Sequence, residues 1–120
     1  FIDPSFLNKI KESKIQVQTR SAFLQGILLT PEFRILTKER TIDQEMLSNW
    51  WEFLRINSVD ALSACLSFIS QFDFIESYIF GFESHKQFQD LVNCERNLIN
   101  IPWIDLISTN KELLDPRLWN

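Results

Sequence analysis

Residues 75–91 of the chain read IESYIFGFESHKQFQDL, an apolar run that passes through a glycine into a helical pattern. The run Ile75–Phe80 is rich in β-branched and aromatic residues, which favours a strand, and Gly81 ends it. Ser84 stands where a helix N-cap is expected, and apolar residues recur behind it at helical spacing. The pattern predicts a strand followed by a helix that extends to about Asn97.

A second strand is predicted near the start of the chain. Residues Ile15–Thr19 alternate apolar and polar side chains with period two, which is typical of a strand. The residues before it predict a helix that ends near Ser13, with Asp3 as its cap and Pro4 in its first turn. The residues after it, Ser21–Gly26, predict an irregular turn.

Two helices are predicted between the strands. Thr41–Gln44 is a capping-box pattern that predicts a helix of about four turns. Asn57–Ser58 ends that helix, and Ser58 is predicted to cap another that runs to about Gln71. The charged residues Glu32–Arg40 predict a surface loop. Because helical segments separate the strands, we expect parallel pairing and therefore the α/β class.

Two parallel strands alone make a poor sheet, because buried parallel strands need neighbours on both edges. The chain also carries eleven Phe and four Trp but only two Gly among 120 residues, and it begins with Phe1. Large aromatic side chains need partners against which to be buried. These features indicate a piece of a larger core, and we expect exposed strand edges to make the chain self-associate or rearrange.

Composition narrows the classes of partner. Twelve Lys and Arg against sixteen Asp and Glu give a net charge of −4 without a basic stripe, so nucleic acid is not an expected partner. The absence of a long apolar stretch or a signal-like leader predicts no membrane span and a cytoplasmic location. Cys65 and Cys94 lack metal-ligand spacing, and only His85 would complement them. We expect no metal site and two reduced thiols that act as small core residues.

Two segments carry a resemblance to a known family. Residues 20–29 read RSAFLQGILL and residues 79–91 read IFGFESHKQFQDL, and two helices are predicted between them. In this order they resemble the C-terminal portion of aldo/keto reductases, whose seventh barrel strand ends in Ser-x-x-x-x-Gly-x-Leu. The eighth strand of that family leads into Gly-x-x-Ser-x-x-Gln-Leu-x-Glu. The sequence DPRLW at 115–119 resembles the tail of some bacterial members, so the resemblance extends from about Ile15 onward.

The resemblance implies that residues 1–120 are a single C-terminal fragment of a (β/α)₈ TIM barrel, with two parallel strands and their flanking helices. The active site of such barrels lies at the carboxyl ends of the strands. The implied activity is oxidation or reduction of a carbonyl or alcohol substrate with NADP or NAD as the cofactor. The implied partners are the N-terminal remainder of the barrel and a small carbonyl compound.

The resemblance also implies which residues bind the cofactor. In the family the loop after strand seven crosses the pyrophosphate, and the turn after strand eight holds the adenosine phosphate end. The first amides of the following helix and its dipole suit an anion. The positions in this chain that match those cofactor-binding segments are Ser21, Phe23, Gln25, Gly26, Gly81, Ser84, Gln87 and Asp90.

Three positions depart from the family pattern. Arg20 stands where many members place an aromatic ring on the nicotinamide, and Leu91 stands where an Asn often contacts the adenine. Glu83 brings a negative charge close to the expected 2′-phosphate position, and Lys86 offsets it in part. The choice between NAD and NADP therefore stays open.

The catalytic Asp, Tyr, Lys and His of the family lie in the first half of the barrel. Tyr78 falls inside the last strand and His85 in the phosphate-side turn, so neither matches that set. His85 is expected to be a solvated helix residue. Hydride transfer by these 120 residues alone is therefore not expected.

The residues also allow an alternative from another class. It is a non-catalytic α/β interaction module that associates through exposed strand edges or through a surface formed by Trp50–Trp51. Burial of both tryptophans is the expected arrangement, because they lie in a helix that must pack on the rest of the fold. The sequence encoded ahead of Phe1 separates the two interpretations, since only an aldo/keto reductase would carry the catalytic set there.

Overall fold

The computed structural model describes residues 4–13, 15–31 and 44–94 together with positions 106, 108, 110, 115 and 118. Within these residues the fold is α/β, with helices and two parallel strands that form one sheet. The elements follow in the order α1 (Pro4–Ser13), β1 (Val17–Arg20), α2 (Gln44–Asn57), α3 (Ala61–Ser70), β2 (Ile75–Ile79) and α4 (His85–Asn93).

Strands β1 and β2 pair in parallel, as their separation by helical segments predicts. Val17 lies opposite Ile75 and Arg20 lies opposite Ile79, with an irregularity just after Val17 at which Glu76 has no partner. The predicted start of the first strand at Ile15 is wrong, because the pairing begins only at Val17 and ends at Arg20.

The apolar core lies between α2, α3 and the turns that follow β1. Two clusters of buried side chains form it, and the partly buried Leu28 packs against both. Helix α2 supplies large apolar side chains to this core, and α3 supplies the small residues Ala64 and Cys65. The buried apolar members of these clusters are Ile27, Leu47, Trp50, Leu54, Ala64 and Cys65.

Helix α2 has the predicted length of about four turns, but the start of α3 differs from the prediction. Asp60 caps α3, and its carboxylate accepts a hydrogen bond from the Ser63 amide at 2.9 Å. Ser58, predicted as the cap, instead has a left-handed backbone with φ 52°. Its amide donates to the Arg55 carbonyl, so Ser58 ends α2 rather than beginning α3.

Helix α4 begins after Ser84 as predicted but ends at Asn93, before the predicted Asn97. The backbone of Cys94 is extended, with φ −60° and ψ 120°, which is incompatible with a further helical residue. The Cys94 Sγ lies 3.1 Å from the Ser63 Oγ and joins the end of α4 to the start of α3.

Four predictions fall outside the described residues: the Asp3 cap, the loop at 32–40, the Thr41 capping box and the DPRLW tail as a segment.

No residue of β1 or β2 is buried, although parallel strands ordinarily lie covered on both faces. Ile79 exposes 55% of its surface at the end of β2. Helix α4 likewise contains no buried residue. Burial in the described part of the chain is therefore concentrated in α2, α3 and the turns at 23–29.

The sequence predicts burial of both tryptophans of α2 and of both cysteines. Burial is confirmed for one member of each pair. Trp50 is buried, whereas Trp51 is half-buried. Both cysteines are free, but only Cys65 is buried, and burial raises the pKa of its thiol to about 12, with a smaller contribution from the Asp60 charge. Cys94 is half-buried, so it is not a full core residue.

Within the described ranges no single helix is both long and apolar enough to cross a bilayer. Helices α2 and α3 reach that length and composition only when taken together, and they meet at an angle of 98°. The same ranges contain no group of three or more His, Cys, Asp and Glu side chains placed to hold a metal ion.

Candidate functional site

The segments that follow the two strands emerge at one edge of the sheet. Because β1 and β2 are parallel and Arg20 lies opposite Ile79, their carboxyl ends coincide. The Phe23 ring, three residues beyond β1, stacks on the Phe80 ring with centroids 5.2 Å apart and planes 17° apart. This contact brings residues 21–29, here named the turn segment, next to residues 80–84, here named the glycine turn.

The turn segment is a series of overlapping turns. The Gly26 amide donates to the Phe23 carbonyl at 2.9 Å, and the Ile27 amide donates to the Leu24 carbonyl at 3.2 Å. Leu24, Gln25 and Gly26 all have positive φ, at 47°, 55° and 86°, which gives the turn its left-handed sense. Only Gly26 adopts this backbone freely, and the left-handed form costs the other two roughly 1–2 kcal/mol each.

Packing and one hydrogen bond tie the turn segment to helix α2. Ile27 exposes only 2% of its surface and packs against the buried Leu47. The indole N–H of Trp50 donates to the Leu28 carbonyl at 3.0 Å. The sequence places Trp50 on the apolar face of α2, but periodicity carries no signal that would identify the acceptor of its N–H. The part that Trp50 plays in this site was therefore missed.

Nothing in the described part of the fold requires a glycine at position 81. Its φ is not positive, and a Cβ built on it would have no described atom within 4 Å. Neither backbone strain nor crowding by the described residues therefore excludes a side chain at this position. The space beside Gly81 is open at the same sheet edge as the turn segment.

Ser84 caps helix α4, and the Gln87 side chain reaches back to the residue before the cap. The Ser84 Oγ accepts from the Gln87 amide at 3.2 Å, and the Gln87 Oε1 accepts from the Glu83 amide at 2.7 Å. The capping role of Ser84 is confirmed. The amides of His85 and Lys86 lie in the first turn, where no intrahelical acceptor exists, so they point out of the helix end.

Asp90 binds a lysine of its own helix. The Lys86 Nζ lies 2.6 Å from the Asp90 Oδ2, an i,i+4 ion pair with both side chains exposed. Lys86 was predicted to offset the charge of Glu83. In the structure its ammonium group instead forms an ion pair with Asp90, one turn further along the helix.

The predicted cofactor-binding residues form two groups. In the turn segment, Ser21 and Gln25 are exposed, whereas Phe23 and Gly26 are half-buried. Strand pairing and the Phe23 contact bring this group to the edge that also carries the glycine turn. The second group is exposed, and the side-chain hydrogen bonds of its members lie within residues 83–90. It consists of Gly81, Ser84, Gln87 and Asp90.

This edge offers backbone amides, an open glycine and an aromatic pair. The ionisable side chains of the described residues 80–90, namely Glu83, His85, Lys86 and Asp90, are all exposed. Their exposure disfavours proton transfer, which requires partly buried groups, so the backbone amides at the start of α4 are the groups of this edge that suit an anion. No protein-family model, curated protein or solved structure matches the chain.

Proposed function

We propose that the chain is the cofactor-side, C-terminal part of a (β/α)₈ barrel oxidoreductase of the aldo/keto reductase type. In this proposal β1 and β2 are the seventh and eighth barrel strands. One observation carries it: two parallel neighbouring strands place the turn segment and the glycine turn at one carboxyl edge. That edge is where barrel enzymes bind their substrates and cofactors.

The exposure of the strands supports a larger sheet. Neither β1 nor β2 contains a buried residue, and among the described residues the two-stranded parallel sheet has an unpaired edge on each side. The N-terminal remainder of a barrel would pair with these edges and cover the inner face. The same remainder would carry the Asp, Tyr, Lys and His that the reaction requires.

The proposed cofactor is NAD or NADP, which supplies the hydride when it is bound. The turn segment lies along its pyrophosphate, and the free amides of His85 and Lys86 face its adenosine phosphate end. Gly81 leaves room for the cofactor to approach the backbone. The residues of this chain therefore bind and orient the cofactor, and the substrate is a small carbonyl compound or alcohol.

Gly81→Val in the full-length protein tests the proposal, because the described fold leaves room for the new side chain. Valine is expected to weaken the binding of NADH and NADPH at least tenfold, measured by the fluorescence of the reduced nicotinamide. The free energy of unfolding in urea should change by less than about 0.5 kcal/mol. Gln89→Val is the matched control, since it adds the same side chain at an exposed α4 position outside the site.

Two results would overturn the proposal. One is unchanged affinity for both dinucleotides in the Gly81→Val protein, or no binding by the parent protein. The other is an upstream coding sequence without the Asp, Tyr, Lys and His set. Comparison of NADH with NADPH also shows whether Glu83, with Lys86 paired to Asp90, disfavours a 2′-phosphate.

A second candidate is a non-catalytic module that self-associates through its strand edges, and the exposure of β1 and β2 favours it. The other surface suggested for this module is the tryptophan pair. Only the half-buried Trp51 is accessible there, because Trp50 lies in the core. Light scattering of the 120-residue chain should then show oligomers that grow with concentration. A monomer over a broad concentration range would contradict this candidate.

A further inference from the structure

The turn segment holds an unfavourable backbone at residues that have side chains. Leu24 and Gln25 are left-handed in succession, and Ser21 before them also has a positive φ of 62°. Such a conformation persists only where surrounding contacts determine it. Gln25 is exposed, so its own side chain contributes little to holding it there. The restraint must therefore come from the residues on either side.

Trp50 is the side chain best placed to supply that restraint. It exposes 5% of its surface, and its Nε1 donates to the Leu28 carbonyl at 3.0 Å. The Leu28 amide in turn donates to the Phe23 carbonyl at 3.3 Å, across the left-handed residues. One part-buried hydrogen bond from helix α2 thus fixes the far end of the turn around Leu24 and Gln25.

The neighbouring tryptophan provides an internal contrast. Trp51 lies next to Trp50 on the same helix, but its Nε1 has no acceptor among the described residues. Its ring packs at the edge of the same cluster, so it shares the apolar role without the hydrogen bond. A comparison of substitutions at Trp50 and Trp51 therefore separates the effect of the indole N–H from the effect of ring burial.

We infer that Trp50 is a positioning residue whose indole N–H holds the turn segment in its left-handed conformation. This role follows from the geometry of the chain alone. Its consequence for a ligand rests on the proposed function, in which Ser21, Phe23, Gln25 and Gly26 lie along the pyrophosphate. Trp50 acts through the Leu28 carbonyl, which accepts its indole N–H.

The test is hydrogen–deuterium exchange of the 120-residue chain, followed by mass spectrometry of peptides. Trp50→Phe keeps a buried ring but removes the donor, and it is expected to speed exchange at residues 24–29 roughly fivefold. Peptides from α3 should change by less than about twofold, because local opening of the segment leaves that helix intact. Trp51→Phe should leave both regions unchanged.

A rescue variant distinguishes positioning from general stabilisation. Adding Gln25→Gly to Trp50→Phe removes part of the left-handed penalty and should return exchange at 24–29 to within about twofold of the parent chain. Unchanged exchange in Trp50→Phe, equal acceleration in α3, or failure of the rescue would each overturn the inference. Loss of dinucleotide binding by the parent protein would overturn only the proposed function, because the exchange experiment uses no ligand.

Discussion

Helices α3 and α4 flank the same strand along the chain, and they differ sharply in burial. They have 10 and 9 residues, and each begins at a side chain that accepts a hydrogen bond from the third following amide. Yet α3 has five buried residues and α4 has none. Local signals therefore determine that both helices form, whereas the surrounding chain determines which of them buries its side chains.

The difference lies in what each helix packs against. Helix α3 packs against α2 and the turn segment through Ala64 and Cys65. The apolar face of α4 is largely open, with Phe88 43% exposed and Val92 64% exposed. In the proposed barrel that face is covered by elements encoded elsewhere in the protein.

The largest effect is expected from truncating one buried and one exposed side chain. Leu66→Ala in α3 removes a side chain that is 4% exposed and should lower the free energy of unfolding by about 2–5 kcal/mol. Val92→Ala in α4 should change it by less than about 0.5 kcal/mol. Urea denaturation followed by tryptophan fluorescence measures both. A comparable loss at Val92 would mean that its face is covered.

The two cysteines extend the contrast to chemical reactivity. Cys65 is buried in α3, and its pKa is raised to about 12, so almost none of it is thiolate at pH 8. Cys94, just after α4, is half-buried. Iodoacetamide at pH 8 should therefore modify Cys65 at least about tenfold more slowly than Cys94. Mass spectrometry follows the reaction, and the rates should converge in urea; equal native rates would contradict the burial of Cys65.

A smaller effect is expected from removing the helix caps. Asp60→Ala should lower the free energy of unfolding by about 1 kcal/mol, because α3 is part of the core. Ser84→Ala removes the cap of a helix without buried residues, so it should speed amide exchange at 85–93 and leave the urea midpoint nearly unchanged. Asp60→Asn retains a capping oxygen and is the control. Equal shifts of the midpoint for Asp60→Ala and Ser84→Ala would show that α4 belongs to the same cooperative unit.

The smallest effect is a dependence of the Asp60 cap on pH. Burial tends to raise the pKa of Asp60, but hydrogen bonds from the Ser63 side chain and from the amides of Ser63, Asp60 and Leu62 together outweigh it and lower the pKa. The carboxylate therefore stabilises the fold fully above the ordinary Asp value near 3.9, and this contribution is lost as pH falls through the lowered folded value. The difference between the parent chain and Asp60→Ala should shrink below about pH 4. A difference that grows on acidification would contradict the sign of the shift.

Much of the fold was predictable because its signals are local. Alternation marks β1, the β-branched and aromatic run marks β2, and Ser84 marks the start of α4. The intervening helical segments favour parallel pairing of the strands. The cap of α3 was misplaced because Ser58 and Asp60 are both good capping residues two positions apart, and no periodicity distinguishes them.

The two segments that meet at the carboxyl edge of the sheet were predictable as turns, but their geometry was not. Ser21–Gly26 was correctly predicted as an irregular turn, but a left-handed Leu24 contradicts the preference of that residue. It depends on the Trp50 bond to a carbonyl 22 residues away, which no local pattern encodes. The stacking of Phe23 on Phe80 likewise follows from the three-dimensional path of the chain.

The register of the sheet also bears on the order of folding. Val17 pairs with Ile75, so the strands join only after a loop of roughly sixty residues has closed. Closure on this scale loses chain entropy before any ladder hydrogen bond compensates for it. Helices α2 and α3 shorten the effective loop when they pack, so the nucleus is expected to form between them. The strand edge that carries the candidate site is then the last part of the molecule to assemble.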